Sequence, residues 1–554
     1  MVRVLAGAIG DCIHVIGVRN FLALAEQAEL EATFLGGTVA IDRFVDAVRE
    51  QRPDIVGVSY RLDPDVCRRL LESFRDALAE HNLMEGRRYL FGGTVATGQV
   101  ARDLGLFDQI FDGRQSPDEV REYVFALVGT PSGTIGQAGM PPQNLVERIQ
   151  ASRPLPMLRH HIGLPSVDET VAAVEVIAEA GVIDVISIAP DQVAQESLFR
   201  KPSQRADHAG AGGVPIRTKQ DLGRIFKATR RGNYPLCRCY SGTQDVRQWA
   251  ELLSESISNA WCAVPLSWYS ELDKRGPRTL GQSIPEAHEI IRWHAERNIP
   301  VEVNEPHQWS LRRAPDSVAV ATAYIGAYTA KALGVKHYVS QYMLNTPVGI
   351  SAVMDLAKIM AMIESVESLH DEDFCSYREV RPGLSSFPAE EARACAQLSL
   401  STLFGMALKP DIFHVVATCE GRHAAGASDI ISSARLVAYL IESSQRDLPF
   451  SGLLKSPRVL NRKRQLILDA REILDAIREL GKDVQDPLRS PFVLEQAIRM
   501  GILDAPDLQG SGVAPGLIRT SIVDGACVAI DPETGGVLPE CERLRQVTSG
   551  KVEQ

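Results

Sequence analysis

Two groups of residues in this chain have types and spacings that could do chemistry. The first follows an apolar run at the amino terminus and reads Gly10-Asp11-Cys12-Ile13-His14-Val15-Ile16-Gly17. An imidazole on an extended loop can reach a metal, and the small residues that follow two later apolar runs, Ser59 and Gly92-Gly93-Thr94, leave a slot beside it. The second group is spread over the middle of the chain: Arg159-His160-His161, Asp191, Arg238 with Tyr240, Trp268-Tyr269, Asn304-Glu305 with His307, Gln341 with Asn345, and Glu420 with His423. Arginines bind carboxylates through paired charge-assisted contacts, and a glutamate or histidine holds an ammonium or moves a proton. Any one of these residues is ordinarily a salt-bridge partner or a satisfied core group. Their recurrence at the ends of successive apolar runs implies a hydrated or ligand-filled mouth.

The elements that must position them come in two sets. Runs at Val2–Ile9, Glu31–Leu35, Asp54–Ser59, Arg88–Phe91 and Gln109–Phe111 alternate with helical periodicity, which predicts a flavodoxin-like doubly wound α/β domain over residues 1–128. In such a sheet ligands lie beyond the carboxyl ends of the strands, which places His14, Ser59 and Gly92 on one rim. Residues 129–145, rich in Gly and Pro, read as a flexible linker. Eight further runs, at Pro156–Leu158, Asp184–Ile188, Val214–Ile216, Leu236–Cys239, Trp261–Leu266, Ile299–Val303, His337–Val339 and Ile412–Ala417, predict a (β/α)8 TIM barrel over 146–445. Residues 446–554 form an extension: an amphipathic helix from Ser456 to Gly481, then a small α+β appendage with short runs at Ser521–Val523 and Ala526–Ile530.

Composition limits the partners. Among 554 residues, 59 basic and 70 acidic side chains give a formal charge of −11, a field that repels nucleic acid and anionic membrane. A small-molecule partner is expected, and no nucleic acid. No apolar run approaches the roughly 18–20 residues that cross a bilayer, and Val2-Arg3-Val4-Leu5 reads as a strand and not a signal peptide, so no membrane partner and a cytoplasmic location are expected. The 10 cysteines form no CxxC or CxxxCxxC, which excludes a zinc ribbon and a radical-SAM cluster.

With these residues in view, the first domain resembles the cobalamin-binding domain of B12-dependent mutases, whose motif D-x-H-x-x-G supplies the lower axial ligand of cobalt. His14-Val15-Ile16-Gly17 fits H-x-x-G; the acid two residues before the histidine is replaced by Cys12, with Asp11 one residue further back. The resemblance implies His14 as cobalt ligand and Asp11, Gly17, Ser59, Gly92, Gly93 and Thr94 around the corrinoid. Over most of residues 155–440 the barrel resembles glutamate mutase. Trp293–Arg312 and Gln341–Pro347 also resemble the large subunit of D-ornithine 4,5-aminomutase and lysine 5,6-aminomutase.

Domain and barrel together imply an adenosylcobalamin-dependent mutase that holds the corrinoid between sheet rim and barrel mouth and rearranges an amino acid or amino-acid-like substrate by radical 1,2-migration. Arg159 and Arg238, after the first and fourth runs, would hold carboxylate; Glu305 or His307 would hold ammonium or move a proton; Gln341 and Asn345 would face the cofactor. Glutamate itself is not expected as substrate, because Trp261-Cys262-Ala263 offers no acid where glutamate mutase has one. The aminomutases also use pyridoxal phosphate on a lysine of the cobalamin domain, and residues 1–150 contain no lysine. That cofactor would need Lys201, Lys219, Lys274 or Lys336, or is not used. The alternatives are a cobalamin-dependent methyl carrier or methyltransferase and a noncatalytic corrinoid-binding protein. The sequence leaves the assembly open, a homodimer included.

Overall fold

The computed structural model describes residues 2–127, 140–199, 209–240, 242–445 and 450–549. The chain divides into two compact units, Met1–Gly136 and Gln137–Gln554. Most of the expected linker, 129–145, lies outside the described residues, and at its end Asn144 already caps the helix Leu145–Ser152.

In the first unit, strands β1 (Arg3–Ile9), β2 (Glu31–Val39), β3 (Ile55–Tyr60), β4 (Arg88–Gly93) and β5 (Gln109–Phe111) form one sheet in the order β2-β1-β3-β4-β5, with every neighbouring pair parallel. Apolar side chains leave both faces, as a doubly covered parallel sheet requires: Leu5, Val56, Val58 and Phe91 join one core with Phe44 and Phe74, while Val4, Ala6, Ile55 and Leu90 join another with Leu22 and Ala25. The helices begin where their sequence says. Asp63 accepts from the backbone of Asp65 and Val66 ahead of the helix Pro64–Glu80, and Thr94 and Thr97 cap the helix Val95–Leu104 reciprocally.

The second unit is a parallel barrel of eight strands: β6 (Met157–Ile162), β7 (Val185–Ile188), β8 (Leu236–Cys239), β9 (Cys262–Val264), β10 (Val301–Val303), β11 (His337–Leu344), β12 (Cys375–Pro382) and β13 (Ile412–His414). Its ladder runs β8-β7-β6-β13-β12-β11-β10-β9, leaving a seam between β8 and β9. There the Ala260 N–H donates to Cys237 O at 2.8 Å and the Asn259 side chain accepts from the Cys239 N–H at 3.0 Å, so a side chain replaces part of the missing ladder. The expected membership is corrected at two places. Val214–Ile216 is no strand and makes a single bridge, Val214 to Pro190; β12 is a strand that the apolar runs do not reveal.

Side chains alternate along barrel strands, so the interior is layered with a step of two residues. The lowest layer is apolar: Met157, Val185, Leu236, Val339, Tyr377 and Ile412 pack with Trp261, closed from below by Leu145 and Ile149 of the helix Leu145–Ser152. Behind the barrel the helix Pro457–Leu480 buries Leu466, Ala470, Ile473, Leu474 and Ile477. A hairpin, β14 (Thr520–Val523) and β15 (Ala526–Ala529), turns through Asp524 and Gly525, both at positive φ, as two-residue hairpin loops require. No helix among the described residues is long and apolar enough to cross a membrane.

Candidate active site

The rim of the small sheet collects the first group of residues. Gly10 leaves β1 at φ +69°, and a Cβ there would lie 2.4 Å from Leu70 Cδ1, so the turn needs glycine. Beyond it Cys12 turns into the core while Ile13, His14 and Gly17 are exposed. Ala8 of β1 registers with Ser59 of β3, and Ser59 with Gly92 of β4. This is where the strand order reverses, the usual ligand position of such sheets. A Cβ on Gly92 would stand 3.9 Å from Ser59 Oγ, narrowing the gap between strand ends, and one on Gly17 would meet nothing. Gly93 is different: a Cβ there would strike Thr97, Phe91 and the Tyr60 carbonyl, so its glycine serves local packing.

Two residues of this rim have local partners of their own. Asp11 does not steady His14: its Oδ1 accepts from the Tyr60 hydroxyl at 3.0 Å, and burial together with that carboxylate pushes the phenol up to about 12. Thr94 is occupied as a helix cap. His14 has no hydrogen-bond partner among the described residues. The exposed imidazole would supply a metal ligand and the small residues Gly17, Ser59 and Gly92 would leave room for a large ring cofactor.

The second group sits in and above the barrel. One step up from the apolar layer stand Arg159, Ser187, Arg238, Glu302, Gln341, Glu379 and His414, all buried. Arg159 and Arg238 therefore lie inside strands β6 and β8, and not beyond their ends; Arg238 belongs to the third strand, not a fourth. They also differ in what they hold. Arg159 donates to Ser187 Oγ (2.7 Å), to Glu379 and to His161 Nε2 (2.7 Å), which leaves no nitrogen free. Arg238 donates from Nη2 to Glu302 at 2.9 Å, while its Nε and Nη1 are buried without a partner among the described residues.

Glu302 takes three donors: Arg238, Trp261 Nε1 at 2.8 Å and Gln341 Nε2 at 2.7 Å. Burial raises its pKa, but Arg238, Arg159 and the Trp261 N–H outweigh burial and hold the carboxyl below the usual range. Burial wins at Glu379, which is raised despite Arg159. His161 and His414 are driven well below the ordinary imidazole range by burial and by Arg159. Neutral His161 can then accept from Arg159 through Nε2, with its proton on Nδ1.

Glu305 and His307 part company. Both Glu305 oxygens are taken, by the Ser267 N–H at 2.7 Å and by Trp309 Nε1 at 3.0 Å, so this carboxyl braces the loop after β9. Burial pushes it up to about 7. His307, on the helix Pro306–Leu311, is pushed down to about 4 by burial, and its Nδ1 has no partner. Gln341 and Asn345 do not act as a pair: Gln341 faces the interior, whereas the Asn345 amide donates to Ser401 Oγ at 2.8 Å, away from it. Asp191 caps the helix Gln192–Ser197 and pairs with Arg217. Glu420 lies 3.1 Å from His160 Nε2.

The apolar runs and their ends do not disclose Glu302, Glu379 or Arg381. Arg381, also on β12, donates through Nε to the Pro382 carbonyl at 3.3 Å, and its charge bears on His161, His307 and His414. The signal that could have found Glu302 is a lone acid inside the apolar strand Val301–Val303. It also supplies an acid beside Trp261, from the neighbouring strand, where the local sequence has none. A cavity of about 830 Å³ opens on the same rim, lined by residues that follow β7, β8 and β9, among them Gln195, Thr243, Tyr269 and Arg275.

Known proteins agree with this division. Residues 2–118 match the B12 binding domain, and residues 143–554 match the methylaspartate mutase E chain (MutE). Similar solved structures include a novel cobalamin-binding protein from Desulfitobacterium hafniense, with 24% identity over 23% of this chain and 58% of that one and a TM-score of 0.20. Two rubisco-like proteins are also similar: one from Burkholderia fungorum (16% identity, 58% of this chain and 69% of that, TM-score 0.33) and one from Alicyclobacillus acidocaldarius (12%, 59% and 71%, 0.30). The chain thus spans 58% of the length of that cobalamin-binding protein. With a B12 binding domain ahead of a family match that takes in the whole barrel and its extension, the chain belongs to the methylaspartate mutase E chain (MutE) family.

Proposed function

We propose that this chain is an adenosylcobalamin-dependent mutase that takes an amino acid or amino-acid-like substrate through a radical 1,2-rearrangement within the barrel. The observation that carries the reading is the buried charged layer: among the described residues Arg238 keeps two N–H groups without a partner, and Glu379 Oε2, Gln341 Oε1 and His307 Nδ1 have none either, their residues acting on Arg238 directly or sharing Glu302 with it. Buried polar atoms are nearly always bonded, so such a set calls for a polar guest. Unpaired donors and acceptors in one buried set suit a zwitterion.

Arg238 would donate through Nε and Nη1 to the substrate carboxylate, and Glu379 and Gln341 would accept from its ammonium. Arg159, fully engaged, positions Glu379 and His161. His14 would ligate cobalt, with Gly17, Ser59 and Gly92 leaving room for the corrinoid. Bound adenosylcobalamin would supply the carbon radical that takes a hydrogen atom from substrate. The closed apolar layer below the site excludes water, which protects a radical from side reactions. Pyridoxal phosphate is not part of this reading: Lys219 pairs with Glu255, Lys274 donates to the Gly510 carbonyl, Lys336 lies at the opposite end of β11, and Lys201 is outside the described residues.

The test is to incubate the full chain and adenosylcobalamin with tritiated amino acids and follow label into the 5′ carbon of the coenzyme. Exchange with at least one amino acid, weakened in Arg238→Gln through a raised KM, is expected. A corrinoid-loaded chain that exchanges with none, and instead transfers the methyl group of methylcobalamin, would make it a methyltransferase.

A further inference from the structure

The turn between β13 and the helix Ala427–Ser444 brings together three side chains that the proposed reaction does not use. Cys419 Sγ, an imidazole nitrogen of His423 and a carboxylate oxygen of Asp429 all lie within 4.8 Å of one another. From this juxtaposition we infer a zinc site that braces the barrel rim, with Cys419, His423 and Asp429 as ligands and water in the fourth position.

The donor set is right for the ion: thiolate, imidazole and carboxylate together suit zinc, and three protein ligands with one open position is a common zinc arrangement. Bonds of about 2.0–2.3 Å place tetrahedral ligand atoms about 3.3–3.7 Å apart, so atoms within 4.8 Å of one another need to draw in by at most about 1.5 Å. The surroundings already aim the ligands. His423 Nδ1 donates to the Ala424 carbonyl at 3.0 Å, which fixes the proton there and leaves the Nε2 lone pair for a cation. Asp429 Oδ2 accepts from the Gly426 N–H at 2.9 Å, which holds the carboxylate at the first turn of its helix.

Cys419 is buried with an Asp429 carboxylate oxygen within 4.8 Å of its Sγ, and a free thiol carries its proton at neutral pH. Zinc would take that proton's place: a zinc–sulfur bond forms, the proton leaves to solvent, and dication, thiolate and carboxylate sum to zero. The same turn carries Glu420, which accepts from the Ala417 N–H at 2.9 Å and faces His160 of β6, so the ion would fix this part of the rim.

The test titrates the tag-free full chain, stripped of metal, with Co²⁺ and then Zn²⁺. One equivalent of Co²⁺ should give a thiolate charge-transfer absorption that Zn²⁺ abolishes, with about one proton released per ion. Cys419→Ser should remove the absorption. His423→Ala, an exposed change that leaves the core untouched, should weaken binding by about tenfold or more, since even outer-sphere partners of a metal ligand cost 10–100-fold. No thiolate absorption in the unaltered chain, or an absorption and affinity that both variants retain, would overturn the site and leave only a thiol bonded to a carboxylate.

Discussion

The rim of the small sheet and the interior of the barrel solve opposite problems. On the rim the decisive groups are few and open: an exposed imidazole without a partner beside Gly17, Ser59 and Gly92. In the barrel the decisive groups are buried and bonded to one another, with two arginines paired to two glutamates. A large ring held there would be gripped through shape and one metal bond, and little of the fold depends on the groups proposed to hold it. A small charged molecule must be met by charges, and charges in a core need internal partners. Functional substitutions should therefore leave the fold intact on the rim and damage it in the barrel.

The largest effect on stability is expected for Arg159→Met. It leaves Glu379 buried without its ion-pair partner, and removing one partner of a buried pair costs about 3–5 kcal/mol. Urea unfolding should show it, and Arg159→Met with Glu379→Leu should recover most of the loss. Full recovery without loss of exchange activity would show that the pair serves neither stability nor positioning.

Next in size is a pH effect at Glu305. Its folded pKa of about 7 lies above the ordinary value of 4.5, so the folded state holds the proton longer than the unfolded chain does. That contribution is complete below pH 4.5 and is lost as pH rises through 7, a change of about 3 kcal/mol by linkage. His307, lowered from 6.5 to about 4, works in the opposite sense: its contribution is present above pH 6.5 and is lost as pH falls through 4. The two mask each other in the intact chain. Stability of Glu305→Gln relative to the intact chain should therefore rise between pH 4.5 and 7, and a flat difference would place that carboxyl in water.

A smaller loss, about 1–2 kcal/mol, is expected from Asn259→Ala at the barrel seam, because the buried Cys239 N–H loses its acceptor. Hydrogen exchange should quicken at β8 and β9 and not at β12. The smallest effect belongs to the rim, where His14→Ala should change stability by less than about 0.5 kcal/mol, as exposed positions do. It should nonetheless weaken corrinoid binding sharply, and this separation of grip from fold is what the comparison requires.

The same contrast decides what the sequence discloses. Rim residues follow directly from strand ends, and five apolar runs are enough to place His14, Ser59 and Gly92 together. What stays hidden is where Asp11 points, since its partner Tyr60 comes from another strand. In the barrel, β12 escapes because one face of Cys375–Pro382 carries Tyr377, Glu379 and Arg381: a strand whose inward side is charged has no apolar alternation to read. Val214–Ile216 misleads for the converse reason, being apolar because Val214 and Ile216 fill the core beneath a loop. Arg159 and Arg238 look alike in sequence, yet one is fully bonded and the other is not, a difference made by partners far along the chain.

The most direct measurement is the electron paramagnetic resonance spectrum of the cob(II)alamin form, recorded on full chain made with natural nitrogen and again with ¹⁵N throughout the protein. If His14 is the lower axial ligand, each cobalt line splits into a triplet in the first sample and a doublet in the second, and His14→Ala loses the isotope effect. A triplet in both samples would mean that the corrinoid keeps its own base, and the proposed grip on cobalt would be wrong.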